Sequence, residues 1–120
     1  MKYYSLNNKT KTISFQEAVI QGLAPDNGLY FPETITPLST SFFDEIENLS
    51  NEEIAFEVIK QFVGNEIPDA ELKNIINETL CFDFPLVSVE ENIYSLELFH
   101  GPTMAFKDVG ARFMSRCLGY

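Results

Sequence analysis

The stretch "HGPTMAFKDVGARF", His100–Phe113, sets a single lysine between Phe106 and Asp108, where an apolar helix begins. A helix's first turn is the wrong end for a cation, because the backbone dipole already places positive charge there. Met104, Phe106 and Val109 crowd the position with apolar side chains. A buried ammonium is costly unless it is paired or deprotonated. Two readings stand open: Lys107 reaches out to water and covers the helix end, or its amine has chemistry to perform. Upstream, "PLVSVEENIYSLELF", Pro85–Phe99, alternates apolar and polar residues, breaks at Glu90-Glu91-Asn92, and alternates again. That pattern predicts a hairpin of Leu86–Val89 and Ile93–Phe99, ended by Gly101-Pro102. Downstream, Phe106, Val109, Gly110, Phe113, Met114 and Cys117 share one helical face. Lys107 is therefore expected in the first turn of a helix, at a strand–loop–helix corner.

The preceding residues predict a small helical and β domain. Lys2–Leu6 reads as a strand, Asn7-Asn8 as a turn, and Thr12-Ile13 as the returning partner. Ser14 to Glu17, S-F-Q-E, is a capping box that opens a short helix ending near Gly22. In "GLAPDNGLYFPETITP", Gly22–Pro37, Pro25–Gly28 is turn chemistry and Leu29–Phe31 is a brief strand stopped by Pro32. Composition makes this segment a surface connection. Helices then follow over Ser39–Asn48, from a second capping box at Ser50–Glu53 to Val63 and Gly64, and from Pro68 onward. Leu72, Ile75, Ile76, Thr79 and Leu80 make one apolar stripe on the last of these. The fold class is thus α+β: a helical/β domain over residues 1–83, then a hairpin and a strand–loop–helix over residues 84–120.

The 120 residues suit a domain-sized core, with 45% hydrophobic content and mean hydropathy of −0.05. Net charge is −10, from 8 basic and 18 acidic residues. Between Glu33 and Glu97 stand 15 acidic residues against two lysines, a surface that repels a nucleic-acid backbone. The cations Lys107, Arg112 and Arg116 gather instead around the unusual stretch. Two cysteines without C-x-x-C spacing and a single histidine argue against a metal site. Cys81 and Cys117 read as small core residues. "MKYYSLNNK" has no apolar signal region, and no apolar run approaches the roughly 20 residues of a membrane span, so no membrane partner and a cytoplasmic protein are expected.

Strand–loop–helix corners hold ligands in α/β proteins, and a helix N-terminus offers free N–H groups to an anion. A desolvated lysine at such a place has a lowered pKa and a usable amine, properties that suit a Schiff base. Thr103 has a hydroxyl able to serve a phosphate or carboxylate, or to cap the helix. Asp108 either orients Lys107 or favours the dipole. Phe106 packs beside a ligand or in the core. His100 suits a structural hydrogen bond, and Arg112 and Arg116 suit solvation or ion pairs.

"SLELFHGPTMAFKDVGARF", Ser95–Phe113, resembles the cofactor-lysine segment of threonine synthases, which are fold-type II pyridoxal-phosphate enzymes. "GLAPDNGLYFPETI", Gly22–Ile35, resembles the characteristic loop of their N-terminal domain. The two segments occur in the family's order, and the likeness spans nearly the whole chain. It implies a lyase of threonine biosynthesis in which Lys107 carries pyridoxal 5'-phosphate and shuttles protons, with Phe106 and Asp108 beside the cofactor and Thr103 facing the substrate. The implied reaction takes O-phosphohomoserine and water to threonine and phosphate. The family's glycine-rich phosphate cradle is not among these residues. The resemblance therefore implies an N-terminal fragment: a whole N-terminal domain plus the first piece of the α/β cofactor domain, inactive by itself. Its last helix would carry a face of Phe106, Val109, Phe113 and Met114 in need of another home: docked on the remaining domain, paired with a second chain, or frayed, an exposed stripe of that size favouring self-association. A phospholyase relative, and a small acidic interaction module with a structural Lys107, are the alternatives.

Overall fold

Lys2–Ser5 (β1) and Asn8–Ser14 (β2) form an antiparallel hairpin in the computed structural model, which describes residues 1–120. Tyr3 lies opposite Ile13, and both are buried. Between Tyr4 and Ser5 the register shifts, so Ser5 meets Asn8. Tyr30–Pro32 (β3) pairs antiparallel with the other edge of β1, giving the order β2-β1-β3.

Ser14 opens the first helix, Phe15–Gln21 (α1), through the expected capping box: its hydroxyl accepts from Glu17 N at 3.1 Å, and Glu17 Oε2 accepts from Ser14 N at 2.8 Å. A second carboxylate completes that end, since Glu66 accepts from Phe15 N at 3.0 Å and from Gln16 N at 2.9 Å. Gly22, at φ +70°, closes the helix. The helix expected over Ser39–Asn48 comes in two pieces, Thr40–Glu45 (α2) and a 3-10 turn at Ile46–Asn48. Ser50 and Glu53 form the second capping box at the head of Asn51–Val63 (α3), and Gly64 ends it at φ +68°. Pro68 precedes Asp69–Thr79 (α4) rather than opening it; its carbonyl accepts from Leu72 N at 2.9 Å.

The Pro25–Gly28 turn lies at the surface as expected, with Pro25, Asp26 and Asn27 exposed, and is in addition laced to β1. Asp26 Oδ1 accepts from Ser5 Oγ at 2.7 Å and from Gly28 N at 2.9 Å, and Asn7 Nδ2 donates to Asp26 O at 3.0 Å. The Ser5 hydroxyl, with the Gly28 amide, holds the Asp26 carboxyl below its usual range. Asn27 takes a positive φ of 62°, and a Cβ on Gly28 would overlap Ser5 Oγ. This wiring, absent from any local sequence rule, fixes β3 against β1.

The chain forms two compact units, Met1–Asn74 and Ile75–Tyr120, and the division falls within α4. In the first unit Tyr3, Ile13, Ala24, Phe56, Val63, Ile67 and Leu72 are buried, Val63 and Leu72 completely. Each such aliphatic side chain contributes about 1.5–3 kcal/mol by leaving water. The Tyr3 hydroxyl donates to Phe62 O at 2.7 Å.

The second unit holds the end of α4, a hairpin of Leu86–Glu90 (β4) and Ile93–Leu96 (β5), and a final helix, Asp108–Gly119 (α5). Leu86 lies opposite Leu96, and Asn92 turns the chain at φ +61°. Regular pairing stops at Leu96, short of the expected Phe99, although Glu97 N still donates to Pro85 O at 3.0 Å. Every residue of β4 and β5 is exposed, so apolar side chains meet solvent on both faces of the ribbon. Helices with two separate antiparallel sheets make the chain α+β, as the sequence predicts. No helix is long and apolar enough to cross a membrane.

Candidate active-site loop

The residues singled out by the sequence come together between Glu97 and Arg116, all within the second unit. Gly101-Pro102 ends the extended segment, and the chain passes through turns before α5 begins at Asp108. Lys107 occupies the N-cap position, just before the first helical residue rather than within the first turn, with φ −73° and ψ −10°. Its carbonyl starts the helix by accepting from Ala111 N at 2.9 Å.

Lys107 is exposed, so of its two open readings the structure bears out the one in which the side chain reaches out to water. The reason lies in its neighbours: Phe106 is 69% exposed and Met104 79%, so the apolar residues flanking the lysine in sequence also face outward. The ion pairs of the chain engage Lys60, His100 and Arg116, leaving the Lys107 ammonium without a carboxylate partner. What stands at the head of α5 is a free primary amine beside a bare aromatic ring.

Asp108 behaves in the opposite way. It is 5% exposed, and its carboxylate turns back over the loop. Asp108 Oδ2 accepts from Thr103 N at 2.9 Å, and Oδ1 accepts from the Thr103 hydroxyl. That hydroxyl bond, foremost, holds the Asp108 carboxyl below its usual range. Thr103 thus donates its hydroxyl hydrogen bond to Asp108, and Asp108 points at Thr103 and Gly101 rather than along the helix dipole.

The remaining candidates have structural partners. His100 Nε2 meets Glu97 Oε2 at 2.6 Å, and its ring stacks on Phe99 with centroids 4.8 Å apart. Arg112 donates to Glu78 O at 2.6 Å, and Arg116 pairs with Glu78 Oε2 at 2.6 Å. Both arginines are therefore engaged, as their helical spacing suggests. Cys81 is exposed and takes a 3.3 Å contact from Arg112 Nη2, a correction to its reading as a core residue. Cys117 is half-buried, and burial pushes its thiol up to about 11. Sequence reading missed Glu97, Glu78 and Gly101. Only Glu97 left a local sign, standing three residues before His100.

A separate cavity of about 280 Å³ opens in the first unit among Ser5, Ile13, Ala24, Asp26 and Tyr30. None of the expected site residues lines it.

Residues 2–80 match the family described as "Threonine synthase N terminus". Among curated proteins, the threonine synthase of Haemophilus influenzae is 42% identical over 118 residues, covering 98% of this chain and 27% of the relative. Among solved structures, the Escherichia coli threonine synthase superposes with a TM-score of 0.93 at 39% identity, over 98% of this chain and 28% of that one. A PLP-bound threonine synthase from Brucella melitensis also gives 0.93, at 36% identity over 100% of this chain and 27% of that one. The chain therefore spans a little over a quarter of the length of the relatives it matches.

Proposed function

The chain belongs to the threonine synthase N-terminal family, and from that premise we propose that it is the leading part of a cytoplasmic, pyridoxal-phosphate-dependent threonine synthase, a lyase with Lys107 as its cofactor lysine. On this reading residues 1–83 are the N-terminal domain and residues 84–120 begin the cofactor domain. The substrate would be O-phosphohomoserine, converted with water to threonine and phosphate.

The carrying observation is the superposition of this chain, over its whole length, on a PLP-bound synthase, with Lys107 exposed and unpaired at the head of α5. When bound, pyridoxal phosphate supplies an electron sink for carbanion chemistry on the substrate. Lys107 Nζ would hold its aldehyde carbon covalently, and the same amine would serve to move protons at the substrate carbons. Phe106, exposed beside the lysine, offers an apolar wall to the ring. Thr103 lies exposed on the same loop, where a substrate would approach. The glycine-rich cradle for the cofactor phosphate is not supplied by these residues, so the 120-residue chain alone is expected to be inactive. Of the stripe expected to be exposed, Phe106 before α5 and Met114 on it are exposed while Val109 and Phe113 are half-buried, and self-association through the exposed pair is the expected behaviour. A strictly monomeric elution at high concentration would oppose that point. No observation favours the small interaction module.

The test is borohydride trapping of the protein at full native length with pyridoxal phosphate, followed by peptide mass mapping. An adduct on Lys107, lost in Lys107→Ala together with threonine formation, is expected. An adduct confined to another lysine would overturn the proposal.

A further inference from the structure

One side chain closes the loop that leads into Lys107. Between Gly101 and Asp108 the backbone makes two turns, Met104 N to Gly101 O at 3.0 Å and Asp108 N to Ala105 O at 3.0 Å. At its apex Met104 sits at φ +54°, a left-handed conformation that a non-glycine residue keeps only where its surroundings impose it. Asp108 is what imposes it. Its two carboxylate oxygens take the Thr103 amide and hydroxyl, which ties the near side of the apex to the first residue of α5. Gly101 makes the closure possible: it is buried, and a Cβ there would stand 2.8 Å from Asp108 Cβ and 2.9 Å from Cγ. Any side chain at 101 would push the carboxylate off Thr103.

These contacts distribute order unevenly. Asp108 is buried, while Phe106 and Lys107 on its N-terminal side are exposed. Lys107 is joined to Asp108 by one planar peptide unit, so an anchored Asp108 anchors the lysine's Cα as well. From the other side, Ala111 N holds the Lys107 carbonyl at 2.9 Å. The root of the lysine is fixed twice, and its amine is left free. A group that must hold a cofactor and then carry protons needs that combination, because a misplacement of about 1 Å can cost about 100-fold in rate.

We propose that Asp108 is a positioning residue for Lys107, acting with Thr103 and Gly101 as a clasp and making no contact with the cofactor. The inference rests on the reading of Lys107 as the cofactor lysine. It replaces two roles suggested by sequence alone, the carboxylate as a cofactor contact and the threonine as a substrate donor. Both groups are spent on each other.

The test uses the protein at full native length as Thr103→Ser, Thr103→Val and Asp108→Asn variants, each checked for wild-type far-UV circular dichroism. Hydrogen exchange reads the clasp without reference to any cofactor: the Thr103 amide should be protected in wild type and in Thr103→Ser, and exchange about tenfold faster or more in Asp108→Asn. Borohydride trapping at sub-saturating pyridoxal phosphate and circular dichroism in the cofactor band read the lysine. Thr103→Ser should match wild type. Thr103→Val and Asp108→Asn should lose about tenfold or more in trapped Lys107, with an altered cofactor-band signal and kcat falling further than KM rises. A freely exchanging Thr103 amide in wild type overturns the clasp whatever Lys107 does. A protected amide with no trapping at Lys107 in wild type overturns the cofactor reading and the positioning role with it. Trapping and cofactor-band signal unchanged in Thr103→Val overturn the positioning role alone.

Discussion

Gly28→Ala tests the lacing of the Pro25–Gly28 turn to β1. A methyl at this position would overlap Ser5 Oγ and approach Asp26 Oδ1 to 3.0 Å and Asn7 N to 3.1 Å. Ser5 is 6% exposed, so a hydroxyl pushed away from its 2.7 Å bond to Asp26 has little access to water. An orphaned buried hydroxyl costs about 1–3 kcal/mol. Overpacking strain costs about 1–3 kcal/mol as well. The displacement that relieves the clash is the one that orphans the hydroxyl, so the two overlap, and a loss of about 2–4 kcal/mol is expected in all. In urea, with m of order 1–3 kcal/mol/M for a domain this small, the far-UV midpoint should fall by about 1–3 M. Ser5→Ala removes the atom that the new methyl strikes. The double variant should therefore lose less than the sum of the singles, by about 1–2 kcal/mol of coupling. A Gly28→Ala loss under about 0.5 kcal/mol, or strict additivity, would show that the turn is not held as described.

Three further outcomes follow from the same unit. Leu72→Ala empties a completely buried site and should cost about 2–5 kcal/mol in urea unfolding. Glu66→Ala removes the carboxylate that caps Phe15 N and Gln16 N; a loss of about 0.5–2 kcal/mol is expected, with faster amide exchange in the first turn of α1 and none of that change in α4. Tyr3 is pushed up from 10.0 to about 12, by burial first and by Glu66 second. The fold disfavours its ionised form, so this contribution is fully present below pH 10.0 and is lost as pH rises through about 12. An alkaline titration of unfolding should show that loss in wild type and not in Tyr3→Phe.

Local chemistry made much of the first unit legible. Ser14 with Glu17, Ser50 with Glu53, and the closing Gly22 and Gly64 are signals contained within a few residues, and each sits where the sequence predicts. The unforeseen features are bonds between distant residues. Glu66 caps a helix 51 and 50 residues upstream, and Asp26 holds Ser5 across 21 residues. Glu66 carries no mark in its own neighbourhood, and the turn chemistry around Asp26 gives no sign of its bond to Ser5. At the loop the sequence located Lys107 and its arginines, but it left open whether the lysine reaches water. Adjacency in the chain does not decide which way side chains turn, and here Met104 and Phe106 face outward with the lysine. For Asp108 the sequence offered orientation of Lys107 as one reading, but not the bond to Thr103, which lies five residues back, beyond the reach of any capping rule.

The β4–β5 ribbon has a colloidal consequence. Its strands pair only with each other, so each keeps one bare edge, and Leu86, Val89, Ile93, Tyr94 and Leu96 are more than half exposed. Such a segment is a template for adding strands from other molecules. At neutral pH a net charge of −10 opposes the stacking of many copies into larger particles. That repulsion disappears near the isoelectric point of about 4.4, and salt shortens its reach to about 8–10 Å at physiological strength. Light scattering should therefore rise first as a preparation is acidified toward that point, and earlier at high ionic strength, with the ribbon recruited into the growing particles before either unit has unfolded.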